Sequence, residues 1–131
     1  MLRWLAIVFS TACLAQIPQA RDETRLLVDL NQADIKDLET RVARNPDDLS
    51  ARMTLAEYFK VHGPRVDLLD HILYVIAHHP ESCLAPVISR KALPGKVATQ
   101  KDYDRVVEAW KKAAKDHPEN PRVQSNAAQF Q

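Results

Sequence analysis

Residues 49–80 read LSARMTLAEYFKVHGPRVDLLDHILYVIAHHP. Apolar side chains recur at helical spacing on both sides of His62-Gly63-Pro64. Leu49, Met53, Leu55, Ala56 and Phe59 predict a helix over Leu49–Val61. Leu68, Leu69, Ile72, Leu73, Val75 and Ile76 predict a second over Val66–His79. That second stretch is apolar on more than one face, which implies neighbours on both sides. Gly63 suits the left-handed position after a helix, and Pro64 cannot continue one. So short a link makes the two helices antiparallel.

The same frame recurs outward from this pair. Leu68 and Ile72 are four apart, with Pro80 eight further on, and Val106, Trp110 and Pro118 repeat that spacing. Asp34, Leu38 and Pro46 form a weaker copy, with Pro46 and Pro80 34 residues apart. A period near 34 built on paired helices is the mark of a helical repeat, whose units cannot bury an apolar face alone. Pro80 and Pro118 are 38 apart, so residues 81–101 contain four extra positions, punctuated by Pro86, Pro94 and Gly95.

Five further stretches flank this pair. Arg21–Leu30 reads as a lead-in or a first helix. Asn31–Arg44 reads as a helix with Asn31 as N-cap and Ile35, Leu38 and Val42 on one face, and Asp47 or Asp48 can cap the helix after it. Ser82–Leu93 can form a short helix opened by Pro86 in its first turn. Tyr103–Asp116 places Tyr103, Val106, Val107, Trp110, Ala113 and Ala114 inward, and Arg122–Phe130 begins another helix. The fold class is therefore all-α. Only 2 glycines occur, and the long stretches favour helix formers.

The charges balance, 18 Lys and Arg against 17 Asp and Glu, without a block of one sign. A nucleic-acid surface would need a basic face, so no nucleic-acid partner is expected. Residues 1–20 read as a signal peptide and short leader: Arg3, then an apolar run from Trp4 to Phe9, then small residues with cleavage before Gln16 or Arg21. Export follows, with membrane contact only through this segment. Ser10-Thr11-Ala12-Cys13 loosely resembles a lipobox, which leaves a lipid anchor as the alternative to simple cleavage. If Cys13 leaves, Cys83 is the only cysteine; if it stays, one bridge can form.

The chain offers little chemistry. His71, His78, His79 and His117 lack the convergent spacing zinc requires. His78, His79 and His117 fall at helix C-termini, where the dipole favours an imidazole. Cys83 has no oriented base and reads as a small buried hydrophobe. There is no glycine-rich phosphate loop and no nucleophile elbow. No cofactor, metal or catalytic residue is expected. The alternative is a small secreted helical domain that binds metal or catalyses through the histidines.

Arg52, Leu55, Ala56 and Phe59, followed by Leu68, Ile72 and Pro80, resemble the tetratricopeptide repeat family. Leu55 and Pro80 match the family pattern to the letter, and Ala56 and Phe59 match in kind. Arg52 stands where the family has a large aromatic, and Leu68 where it has a small residue. Val106, Trp110 and Pro118 fit the next unit. The resemblance spans 31–131 within a repeat domain at 21–131. It comprises a complete pair at 49–80, an irregular pair at 82–118 and half-repeats at both ends.

It implies a short right-handed solenoid of stacked antiparallel helix pairs that binds a protein or peptide on a surface made by first helices. Carried over, that surface comprises Ser50, Met53, Glu57 and Lys60, with Arg122, Ser125 and Gln129. Glu57 and Lys60 also read simply as solvated charges on a helix face. Ala127, Ala128 and Phe130 are left without a covering helix, which suggests a fragment of a longer array or self-association through this end.

Overall fold

The structure, a computed structural model, describes residues 30–95 and 98–131. All regular structure in these residues is helical, so the chain is all-α as expected. The helices are α1 (Gln32–Arg44), α2 (Leu49–His62), α3 (Arg65–His78), α4 (Leu84–Ser89), α5 (Gln100–Asp116) and α6 (Pro121–Ala128). A 3-10 turn (Arg90–Ala92) follows α4 directly. The expected signal segment, and the lead-in before Leu30, lie outside the described residues.

Local chemistry sets most helix starts. Asn31 caps α1: its side chain accepts from the amides of Ala33 and Asp34, and Asp34 accepts in return from the Asn31 amide. Of the two candidates before α2, Asp48 is the cap and accepts from the Ala51 amide at 2.9 Å. α5 starts three residues earlier than the apolar pattern predicts. Thr99 and Asp102 form a reciprocal capping box there, which adds Gln100–Asp102 to the helix. Asn120 caps α6, and Pro121 occupies its first turn.

Between α2 and α3, Gly63 adopts φ 69° and ψ −180°. A Cβ there would meet nothing closer than the Arg65 amide nitrogen at 3.9 Å. The demand for glycine is therefore torsional rather than steric.

α4 is shorter than the expected Ser82–Leu93 helix. Pro94 drives Leu93 into an extended conformation (φ −55°, ψ 138°), and the residues before it tighten into the 3-10 turn. The loss has a structural use. α1 packs on α2, α2 on α3, α3 on α5 and α5 on α6, while α4 and its turn contact α2, α3, α5 and α6. α4 is thus a wedge inserted among four longer partners.

One core runs through these helices. Leu55, Leu68, Ile72, Ile76, Ile88, Val106, Trp110 and Val123 expose no surface. Each aliphatic side chain so buried stabilises the fold by roughly 1.5–3 kcal/mol before chain entropy is counted. The Trp110 indole N–H donates to Ser89 Oγ at 3.0 Å, and Ser89 Oγ donates to the Ala85 carbonyl at 2.7 Å. The buried hydroxyl is thereby satisfied in both roles.

The expectation of an uncovered apolar end is corrected. Ala127 is fully buried and Phe130 is 4 % exposed. After α6 the chain turns once more, with the Phe130 amide donating to the Ala127 carbonyl at 2.9 Å. The Phe130 ring then stacks on Trp110, centroids 5.6 Å apart and planes 6° from parallel. Of the three residues expected to lack cover, Ala128 alone is exposed. The aromatic partner missing from the helix count comes from Trp110, so no second helix is needed to bury Phe130.

Candidate partner-binding face

Ser50, Met53, Glu57 and Lys60 recur at three- and four-residue spacing along α2, as the sequence reading requires. Ser50 lines a groove of about 250 Å³ between α1 and α2, opposite Asp34 and Asp37. Met53 is half-buried and packs against the core, so only part of it is offered to a partner. Lys60 is exposed. Arg122, Ser125 and Gln129 are exposed and share one side of α6 and the turn that follows it.

Two residues that the sequence reading did not single out join these sets. Lys91 Nζ pairs with Glu57, and the Lys91 side chain is only 14 % exposed. Arg90 donates to Gln129 Oε1. The 3-10 turn therefore bridges α2 to α6, and the two predicted stripes become parts of one polar ridge. Glu57 is not the freely solvated charge of the simpler reading. Arg90 and Lys91 were hidden by the four-residue irregularity, where the sequence spacing gives no periodic frame.

A second polar cluster lies where α3 ends beside the turn between α1 and α2. Arg52, at 7 % exposure, is its centre. Its Nε donates to the Pro46 carbonyl at 2.6 Å, and a terminal nitrogen donates to His71 Nδ1 at 3.1 Å. Its guanidinium lies 3.6 Å from the centroid of the Tyr74 ring. Tyr74 Oη donates to Asp47 Oδ1 at 2.9 Å, and His79 Nε2 donates to the same oxygen at 2.6 Å. These two hydrogen bonds, His79 first and Tyr74 second, hold the Asp47 carboxyl below its ordinary range.

Arg52 thus packs as a flat guanidinium on a tyrosine face, with its hydrogen bonds turned to the backbone and to histidine. The cluster joins the α1–α2 turn to α3. Among the described residues, no three His, Cys, Asp or Glu side chains are grouped to hold a metal ion. Cys83 is half-buried rather than buried and is engaged in a disulfide, which takes its thiol out of nucleophilic chemistry. The chain's other cysteine, Cys13, lies outside the described residues.

His71 supplies a pH dependence. A guanidinium only donates, so Nδ1 of His71 accepts and the ring proton sits on Nε2. Burial first, and the Arg52 charge second, push its pKa down to about 4 from 6.5, and Asp70 opposes them. Between these values the unfolded chain holds the extra proton, so stability falls as pH drops through that window. From about pH 7 to about pH 5, the unfolding free energy should fall by about 1.5 kcal/mol through this ring, a figure reduced for its partial exposure. The lowered carboxylates of Asp47, Asp48, Asp102 and Asp116 lose their contribution only below their ordinary value of 3.8, outside this interval. Urea unfolding of the parent and His71→Asn at both pH values checks it. An equally steep loss in the variant would assign the effect elsewhere.

No family model matches the chain, and no curated protein or solved structure matches it. Among the described residues, no helix is long and apolar enough to cross a membrane.

Proposed function

We propose that this chain is a non-enzymatic module of tetratricopeptide-like helix pairs that binds a protein or peptide partner on the ridge formed by α2, the 3-10 turn and α6. The observation that carries this reading is the order of helix contacts. α2 packs on α3, and α5 on α6, as neighbours in sequence do in any helical protein. The wedge, however, reaches back to α2 and forward to α6. First helices that touch first helices across the intervening second helix are what a stack of antiparallel pairs produces, with its rotation forming a right-handed solenoid. In this arrangement α2, α4 with its turn, and α6 are the first helices, and their outer side is the binding surface. Export of the module rests on the composition of residues 1–20.

A photo-crosslinking residue placed separately at Lys60, Gln129 and Lys115 of the full chain tests the reading. Lys115 lies on α5, away from the ridge. In cells of the source, Lys60 and Gln129 should capture the same protein and Lys115 should not. Capture from Lys115 alone, or three unrelated sets of products, would exclude the ridge as the binding surface.

A further inference from the structure

The charges of the chain balance as a whole, but the helices do not share them evenly. Taken together, α1, α3 and α5 carry nine acidic and nine basic residues. α2, α4 with its 3-10 turn, and α6 carry five basic residues, Arg52, Lys60, Arg90, Lys91 and Arg122, against one acid, Glu57. Arg52 is turned inward. The Glu57 carboxylate is occupied by Lys91. Lys60, Arg90 and Arg122 remain as exposed cations on the ridge, and Arg90 has a neutral partner, Gln129.

The backbone sets the spacing of these charges. Arg90 is tied to Gln129, and Arg122 lies seven residues before Gln129, two turns back on the same side, about 10 Å away along the helix. Lys60 is one turn beyond Glu57, which the turn's Lys91 clamps. The ridge also carries apolar surface: Val61, one turn past Glu57, is 67 % exposed, and Val87, just before the turn, is 42 % exposed. The acids nearest to α2 from its neighbour α1, Asp34 and Asp37, face Ser50, about 15 Å along α2 from Lys60. The helices of the ridge are therefore mainly basic with apolar neighbours, and the carboxylates beside them are those of Asp34 and Asp37 near Ser50 and of the loop residues Glu81 and Glu119 next to α6.

We infer that the partner segment is an acidic peptide with interspersed apolar side chains, bound along the ridge by Lys60, Arg90 and Arg122. This rests on the reading of the ridge as a peptide-binding surface. Carboxylates of the ligand replace the solvent around three cations that have no acidic partner among the described residues. The apolar side chains cover Val61 and Val87. Complementary charge also speeds the encounter and makes it sensitive to salt.

The test is fluorescence anisotropy of the full chain with a labelled peptide of repeated Glu-Glu-Leu and with its Gln-Gln-Leu counterpart, which has the same apolar content. The Glu peptide should bind about tenfold more tightly at low salt, and the difference should shrink several-fold at an ionic strength near 0.15 M. Arg90→Glu with Arg122→Glu should abolish the preference. Lys101→Glu with Lys115→Glu, an equal change of net charge on α5, should keep it, with circular dichroism showing both variants folded. Equal loss in the two double variants would reduce the effect to net charge and overturn the inference. Equal binding of the Gln and Glu peptides, reduced by Met53→Glu, would overturn the acidic preference but leave the ridge as a peptide site. Binding of neither peptide would overturn both.

Discussion

Trp110→Ala should lower the unfolding free energy by about 3–5 kcal/mol, the largest loss expected from any single truncation in the described residues. The indole has no exposed surface and touches three parts of the fold at once. Its own helix, α5, anchors it. Its N–H reaches Ser89 in the wedge, and its face carries the Phe130 ring. Truncation removes the floor on which Phe130 rests, opens a cavity in the core, and takes away the donor to Ser89. Ser89 keeps its bond to the Ala85 carbonyl, so the hydroxyl is not orphaned and the main cost is packing. Trp110→Phe keeps a ring for Phe130 to stack on and should cost less than half as much. Urea unfolding followed by circular dichroism at 222 nm measures both. A loss below about 1 kcal/mol for the alanine variant would show that the last turn does not depend on this ring. Against a typical domain stability of 5–15 kcal/mol, the expected loss should also shift the thermal midpoint by many degrees.

Arg52→Ala comes second, at about 2–4 kcal/mol. A surface arginine would cost almost nothing, and the difference lies in burial. The variant loses the aliphatic stem from the α2–α3 contact, the guanidinium from the Tyr74 face, and the donors to the Pro46 carbonyl and His71. Burial also pulls the arginine pKa below its ordinary value, opposed by its neighbours Tyr74 and Asp47. The charge is thus held at a cost in desolvation that the surrounding bonds offset. Arg52→Met keeps the stem without the charge and should recover about half of the loss. Removal of the guanidinium also relieves the electrostatic pressure on His71, so Arg52→Ala should show a shallower loss of stability between about pH 7 and about pH 5 than the parent. If Arg52→Ala is as stable as the parent and keeps the same acid sensitivity, the buried cluster does not stabilise the fold.

Helix positions were largely legible because apolar periodicity and capping chemistry are local. Leu49 to Phe59 and Leu68 to Ile76 announce α2 and α3, and Asn31 announces the start of α1. The start of α5 was missed because Thr99, Gln100 and Lys101 carry no apolar signal; the Thr99–Asp102 box that extends the helix is readable only as spacing. The truncation of α4 was half legible, through Pro86 and Pro94. Its role as a wedge was not, because that depends on which longer helices surround it. The residues named on α2 and α6 came from the repeat frame, and each set lies along one side of its helix. Arg90 and Lys91 did not come from it, since they lie where that frame breaks. The burial of Arg52 was the least legible feature: a long charged side chain gives no sequence sign of turning inward, and its partners Pro46, His71 and Tyr74 belong to three separate segments. Phe130 was misread for a related reason. A count of helices cannot show a ring covered by another ring.

The wedge has a consequence for how the protein comes apart. In an array whose units touch only adjacent units, the ends can fray while the middle stays intact, and stability divides among the units. Here one six-residue helix and its turn contact α2, α3, α5 and α6. Neither the α2–α3 side nor the α5–α6 side can leave without stripping cover from Ile88 and Ser89, and so from the other side. The shortest helix therefore acts as a keystone: it makes α2 to α6 one cooperative block in place of a row of separable bricks.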